Sequence, residues 1–516
     1  MVPASRRAFL QQVGSGMFAA GLGASLAAEL GLSTALGAED SAKIPLGEYD
    51  RLVELMRGTP AEKLQPRLAK LVLEGEVDLK QLIAAASLAN AVTFGGCDYV
   101  GFHTAMAMLP ALQMSRELPG AKAPLPVLKV LYRNAQQIQS VGGASQTALE
   151  ALHAAEHAAV SDRGREIRDA CRDVDLPRAE TLLADAGASP LAMFNALQPA
   201  VQDDLNVHRF VFAHRTHGLA DLLGEEYSLL LLRQCVRFCI EQEQNRIERK
   251  RPASPIRALL PKMLDQHKLV GKKLGQRKLD DAAVETLAET VYQGPRERAA
   301  DAVAAALAEG VDPEVVGEAI SLASNLYVLR QGPDPWRTHG DSAGVHSSDA
   351  ANAWRNMVRA ADAKYVASGL IVAAYHAGIQ SAPFKTPPYP TDEHRALIKI
   401  DDPKKLLAEA EDAIRHNDQG RSAAAIAIYG ERGHAVEPVF ALMLKYTLSE
   451  DGRLHGEKFY HTVREEYAST RPAFRWRQIV ALARVTASAY GYNREDQHGF
   501  RAAGYEEACK LLGVEA

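Results

Sequence analysis

Cysteine is scarce and irregularly placed in this 516-residue chain. The five thiols, Cys97, Cys171, Cys235, Cys239 and Cys509, are too few and too unevenly spaced for a disulfide framework. No Cys-x-x-Cys occurs, which excludes a thioredoxin-like redox pair, and no Cys-x-x-Cys-His, which excludes c-type haem attachment. Cys235 and Cys239 stand four apart in an apolar helical run and read as core packing. Nothing resembles a Gly-rich dinucleotide fingerprint, a phosphate loop or a nucleophile elbow. Excess positive charge is also missing: a net charge of -5 and a pI near 6.4 give no overall electrostatic case for nucleic acid. Alternating runs of β-branched residues are rare, so a sheet is not expected.

Apolar residues instead recur at spacings of three and four in nearly every segment, the period of a helix with one buried face. The fold expected is all-α. Helix starts are marked by Asp78, before an Ala-rich helix ending near Asn90, and by Asp312-Pro313-Glu314, an N-cap, an N1 proline and a first-turn acid.

The surroundings of these two helices match. Gly58-Thr59-Pro60 and Gly294-Pro295 precede them, and Ala85, Ser87, Leu88, Ala89 align with Ala319, Ser321, Leu322, Ala323. Asp98-Tyr-Val-Gly101-Phe-His103-Thr104 then lines up with Asp341-Ser-Ala-Gly344-Val-His346-Ser347, and Tyr132 with Tyr375. A weaker echo sets Val207-His208 and Arg233-Gln234 against Tyr460-His461 and Arg477-Gln478. The pattern reads as an internal duplication giving two pseudo-symmetric helical halves. Its expected boundaries are residues 45-245 for the first repeat, 246-280 for a connecting segment, 281-495 for the second repeat and 496-516 for a tail.

The repeated Asp-x-x-Gly-x-His element carries the main chemical expectation. A neutral imidazole binds metal or moves a proton near neutral pH, and a nearby carboxylate orients it. His103 and His346 are therefore candidate catalytic groups or metal ligands, with Asp98 and Asp341 orienting them and Tyr132 and Tyr375 facing substrate. An equally weighted alternative has Asp capping the helix and His filling a polar niche. His214 and His217, three apart on one helix face, form a candidate metal pair, while His208 lies about 240° round from His214 by helical periodicity. His153-Ala-Ala-Glu156-His157 matches the His-x-x-Glu-His pattern of inverted zinc peptidases and raises a zinc hydrolase as a further alternative. Trp336 and Trp354 flank the second element and suit either a flat ligand or the core.

Gly101-Phe-His103-Thr-Ala-Met-Ala107 and Gly344-Val-His346-Ser-Ser-Asp-Ala350 resemble an element of the questin oxidase-like family. The same stretch is similar to the histidine-bearing helix of alkylhydroperoxidase-type proteins related to carboxymuconolactone decarboxylase, but without their Cys-x-x-Cys. These resemblances imply oxidoreductase chemistry on an organic molecule in a helical pocket. At the start of the chain, Ser5-Arg6-Arg7-Ala8-Phe9-Leu10 and a Gly/Ala-rich, weakly apolar stretch to about Leu32 resemble a twin-arginine signal over residues 1-38. That resemblance implies export of a folded protein by the Tat translocase to the periplasm or beyond, with no permanent membrane span.

The expectation is thus an exported helical oxidoreductase acting on a small organic substrate at a His/Asp site between the halves, with zinc, iron or copper as candidate metals. The alternative outside enzymology is a non-catalytic binding or scaffolding protein with structural histidines.

Overall fold

The computed structural model describes residues 44-152, 162-187, 189-332, 342-378, 386-448, 452-491 and 503-514. The expected signal segment, Asp341, Trp336 and the His153/Glu156/His157 motif lie outside them. Backbone contacts divide the chain into two compact units, Leu46–Leu149 with Ala154–Ala516, and Met1–Pro45 with Glu150–His153. Of the second, only residues 44, 45 and 150-152 are described. Both expected repeats fall mainly within the larger unit.

Among the described residues there are 23 α-helices and no β-strand. The only β pairing there is an isolated parallel bridge between Arg277 and Val311. Ten helices position the site, and their starts follow from short polar side chains that satisfy first-turn amides. Asp78 accepts from the Gln81 amide at 2.7 Å, and the Gln81 side chain accepts in return from the Asp78 amide at 3.0 Å, a full capping box at the start of α1 (Leu79–Phe94). This helix runs one turn beyond the expected end and stops where Gly95 turns left-handed at φ 56. Asp98 opens α2 (Tyr99–Ser115), followed by α3 (Leu125–Ser140). Asn206 opens α4 (Val207–Leu223), which precedes the long α5 (Glu225–Glu248). Asp312 and Pro313 start α6 (Pro313–Arg330) as expected. Ser342 caps α7 (Ala343–Ala360) through the Val345 amide at 3.2 Å, and α8 (Ala363–Ala377) follows. Late in the chain come α9 (Arg453–Ser469) and α10 (Arg475–Ala489).

Helices α1, α2 and α3 pack on one another, and so do α6, α7 and α8. The centre is a ring in which α2 touches α4, α4 touches α7, α7 touches α9 and α9 touches α2. Helix α1 is buried from Leu82 through Phe94, and α2 is buried on nearly every side. Helices apolar all round can stand only where other helices cover them, which puts these two in the interior. Each fully enclosed Leu or Val there contributes about 1.5-3 kcal/mol through removal of apolar surface from water.

Buried charges tie the ring together. Lys129 on α3 and Glu457 on α9 meet at 2.6 Å with no side-chain exposure, and the Lys129 ammonium also donates to the carbonyls of Thr447 and Arg453 at 3.2 Å. The first turn of α9 is thereby fixed against α3. Glu466 on α9 accepts from Arg355 (2.7 Å), Asn352 (3.0 Å) and Ser321 (2.6 Å), joining α9 to α7 and α6. With so many donors satisfied, removing either partner of such a pair strands a buried charge.

The repeated glycines have a steric role. A Cβ on Gly344 would lie 2.6 Å from the Val328 amide nitrogen, because α7 crosses α6 backbone to backbone there. On Gly101 it would meet the Phe94 ring at 2.6 Å. Gly344→Ala is expected to force α6 and α7 apart and to destabilise the protein by about 1-3 kcal/mol, the usual range for overpacking. The urea midpoint should fall with little change in slope; an unchanged midpoint would show that the crossing can relax at no cost.

Candidate functional site

Four histidines, one from each helix of the central ring, meet at its end. They are His103 on α2, His208 on α4, His346 on α7 and His455 on α9, all within the first five residues of their helices. Ring centroids are 4.7 Å apart for His103 and His208, 6.1 Å for His208 and His346, 5.3 Å for His346 and His455, and 5.4 Å for His455 and His103. The order around the cluster is therefore 103, 208, 346, 455. His103 is buried and the other three are half-buried. Phe102 stacks on His103 at 4.9 Å and reaches His208 at 5.3 Å. Tyr99, 64% exposed, covers His103 at 4.4 Å and marks the solvent side.

Hydrogen bonding fixes the tautomer of two rings. His103 Nδ1 lies 2.7 Å from the Tyr99 carbonyl oxygen, which can only accept, so Nδ1 carries the proton. His208 Nδ1 lies 3.1 Å from Asn206 Oδ1, which also accepts from the His208 amide at 3.0 Å, while Asn206 Nδ2 donates to Gln242 at 3.0 Å. His208 therefore also donates from Nδ1. In both residues the buried Nε2 has no hydrogen-bond partner and keeps its lone pair.

Burial keeps these rings neutral. The His103 pKa is pressed well below its ordinary value first by desolvation, then by the Lys458 ammonium and His208, against a raising effect of the Tyr99 carbonyl. His208 is brought down to about 3 by burial, Lys458 and His346. One turn beyond His455 and His346 stand Lys458 and Asp349, both buried. Burial lowers Lys458 to about 8, opposed by Asp349, and raises Asp349 to about 6, opposed by Lys458.

The structure distributes the sequence candidates unevenly. His103 and His346 enter one cluster. Asp98 does not orient His103: its Oδ1 caps α2 through the Gly101 amide at 2.6 Å and its Oδ2 accepts from Gln137 at 3.0 Å, so the Tyr99 carbonyl takes the orienting role. Ser342 performs the corresponding capping on α7. Tyr132 is buried within α3, and the Tyr375 hydroxyl donates to Glu297 at 3.2 Å. Trp354 is core, packed on Phe210.

His214 and His217 turn to different neighbours. His217 packs on Phe194 at 4.1 Å and stands 3.7 Å from Asp221, whereas His214 is enclosed near Arg215, Glu465 and His461. The echo that set His208 against His461 does not match this placement. His208 shares the cluster with His455, while His214 lies near His461.

His455, Lys458 and Asp349 were not singled out from the sequence. The signal was the repeated His-x5-His spacing, His208 to His214 and His455 to His461. Among the described residues, and with the side chains as they stand, no group of three or more His, Cys, Asp or Glu is arranged to hold a metal ion. No helix among them is long and apolar enough to cross a membrane.

No family model, curated protein or solved structure matches this chain. Fold and site define an all-α protein with four imidazoles converging from the N-terminal turns of four packed helices.

Proposed function

We propose that the chain is an exported helical oxidoreductase that acts on a small organic substrate at the four-histidine cluster, with a transition metal held by His103, His208, His346 and His455. The supporting observation is the pair of unpartnered Nε2 atoms on His103 and His208, each with its Nδ1 proton held by a carbonyl oxygen. Metal-binding histidines commonly show this arrangement, because the second bond fixes the ring and raises the basicity of the ligating nitrogen. Spacing agrees as well: four imidazoles ligating one ion at ~2.1 Å have neighbouring ring centres ~5 Å apart, close to the separations above. Rotation of the rings about their side-chain torsions is needed to bring the nitrogens to a common point.

A bound transition ion would supply redox or Lewis-acid chemistry. The chain's own residues keep His103 and His208 neutral with the proton on Nδ1, so ligation through these two displaces no proton from Nε2. Tyr99 and Phe102 restrict water at the outer edge, and Lys458 with Asp349 places one cation and one carboxyl group a turn away. Iron and copper fit an oxidoreductase better than zinc, which has no redox chemistry.

The reading of two duplicated halves gains support from the order of the cluster. His103 and His346 occupy one diagonal and His208 and His455 the other, as a pseudo-two-fold arrangement requires. Asp349 and Lys458 break that symmetry, since Met106 and Val211 take the equivalent positions three residues after His103 and His208.

The test is metal analysis with a visible spectrum on full-length protein purified without chelators. About one iron or copper per chain, with an absorption band lost on chelation, is the expected result. A colourless, metal-free protein that does not take up added iron, copper or zinc would overturn the metal site and favour a binding or scaffolding role.

A further inference from the structure

An arginine-lined cleft of about 880 Å³ opens beside Asn206, the residue that caps α4. Its walls include Asn206, Arg246, Arg249, Arg251 and Arg296. Arg246 is committed to Glu243 at 2.6 Å and to the Arg251 carbonyl. Asp204, the acidic residue in the lining, already faces Arg209 at 3.9 Å. Arg249, Arg251 and Arg296 have no carboxylate within ion-pair distance among the described residues, which therefore leave these three positive charges of the cleft uncompensated.

One hydrogen bond joins it to the cluster. Asn206 forms part of the wall and accepts the His208 ring proton, so a ligand against Asn206 is one hydrogen bond from that imidazole. Arg296, also part of the wall, lies over the ring of Tyr375 on α8 at 5.4 Å.

We infer that this cleft binds the carboxylate or phosphate group of a small organic anion and that occupancy is communicated to His208 through Asn206. The inference rests on the reading of the cluster as the reaction centre, and it makes the substrate an organic oxyanion. Unpaired guanidinium groups offer two-pronged donors to either oxyanion, and the positive first turn of α4 adds to their field.

Calorimetric titration of the full chain at low salt with citrate, and separately with pyrophosphate, tests this. Wild type should bind at least one of them with a submillimolar Kd. Arg249→Ala/Arg251→Ala and Arg296→Ala should each weaken binding at least tenfold while retaining the metal content and circular dichroism of wild type. Tighter citrate binding would assign a carboxylate ligand, and tighter pyrophosphate binding a phosphate. Equal affinity in wild type and both variants, or no binding to wild type at millimolar anion, would overturn the inference. His103→Ala separates the two readings: loss of metal with unchanged anion affinity leaves the cleft standing, whereas a metal-free wild type that still binds citrate through the arginines removes only the reaction centre.

Discussion

Purified His208→Ala/His455→Ala is expected to bind iron or copper on the order of 10³-fold more weakly than wild type, and the band from the bound metal should disappear. Changes to groups that merely orient a metal ligand commonly cost 10- to 100-fold in affinity, and this variant removes two of the four imidazoles themselves. Both residues are half-buried on first turns that remain anchored elsewhere, α4 by the Asn206 cap and α9 by Lys129 and Glu457. The far-UV spectrum and cooperative unfolding should therefore persist. His214→Ala/His217→Ala provides the contrast, since those rings face Glu465 and Asp221 respectively, and metal affinity should stay within a fewfold of wild type. If the first variant kept the metal and the second lost it, the site would have to move to the middle of α4.

Acid should destabilise the metal-free protein steeply. His208, His214 and His376 are each held near about 3 by burial, against an ordinary value of 6.5, and His103 and His461 are also lowered. Between those values the unfolded chain binds protons that the folded chain refuses. Stability therefore rises with pH through this window and is lost as pH falls from 6.5 towards 3. Asp349 and Glu241, raised to about 6 and about 7, act in the opposite sense and offset part of the effect. The three deeply shifted histidines outnumber the two raised acids, so at least about one net proton is taken up on unfolding around pH 5, a slope on the order of 1 kcal/mol per pH unit or more. Urea denaturation at pH 7, 6 and 5 measures it directly. A flat profile would mean that the histidines are solvated or already charged in the native state.

The helical class was legible because periodicity in apolar residues is a local property, and so were the starts at Asp78 and Asp312, where capping chemistry acts within one turn. The cluster was half legible. His103 and His346 stood out through the repeated Gly-x-His element, which owes its glycines to close crossings at Phe94 and Val328. His208 was noticed but excluded from the metal pair because it points away from His214 around α4. That angular reading was sound; its consequence was missed, since a helical wheel shows which way a residue points and not which other helices come to meet it. His455 is preceded by little that marks a site, and Lys458 and Asp349 acquire their shifted acidities only from enclosure. Asp98 illustrates the converse: an acid near a histidine in sequence was spent on an amide one turn away.

The ring of helices also constrains when the protein can become competent. His103 and His455 are far apart in sequence, and α9 must dock against α2 and α7 before the fourth imidazole is in place. Such distant contacts close late and slowly in folding. If the cluster holds a metal as proposed, a complete set of ligands exists only after α9 has been made and docked, so loading would follow that step. If the chain is exported as proposed, that ordering suits a route that carries finished, folded cargo, because a polypeptide threaded across a membrane in extended form would have to gather its metal on the far side.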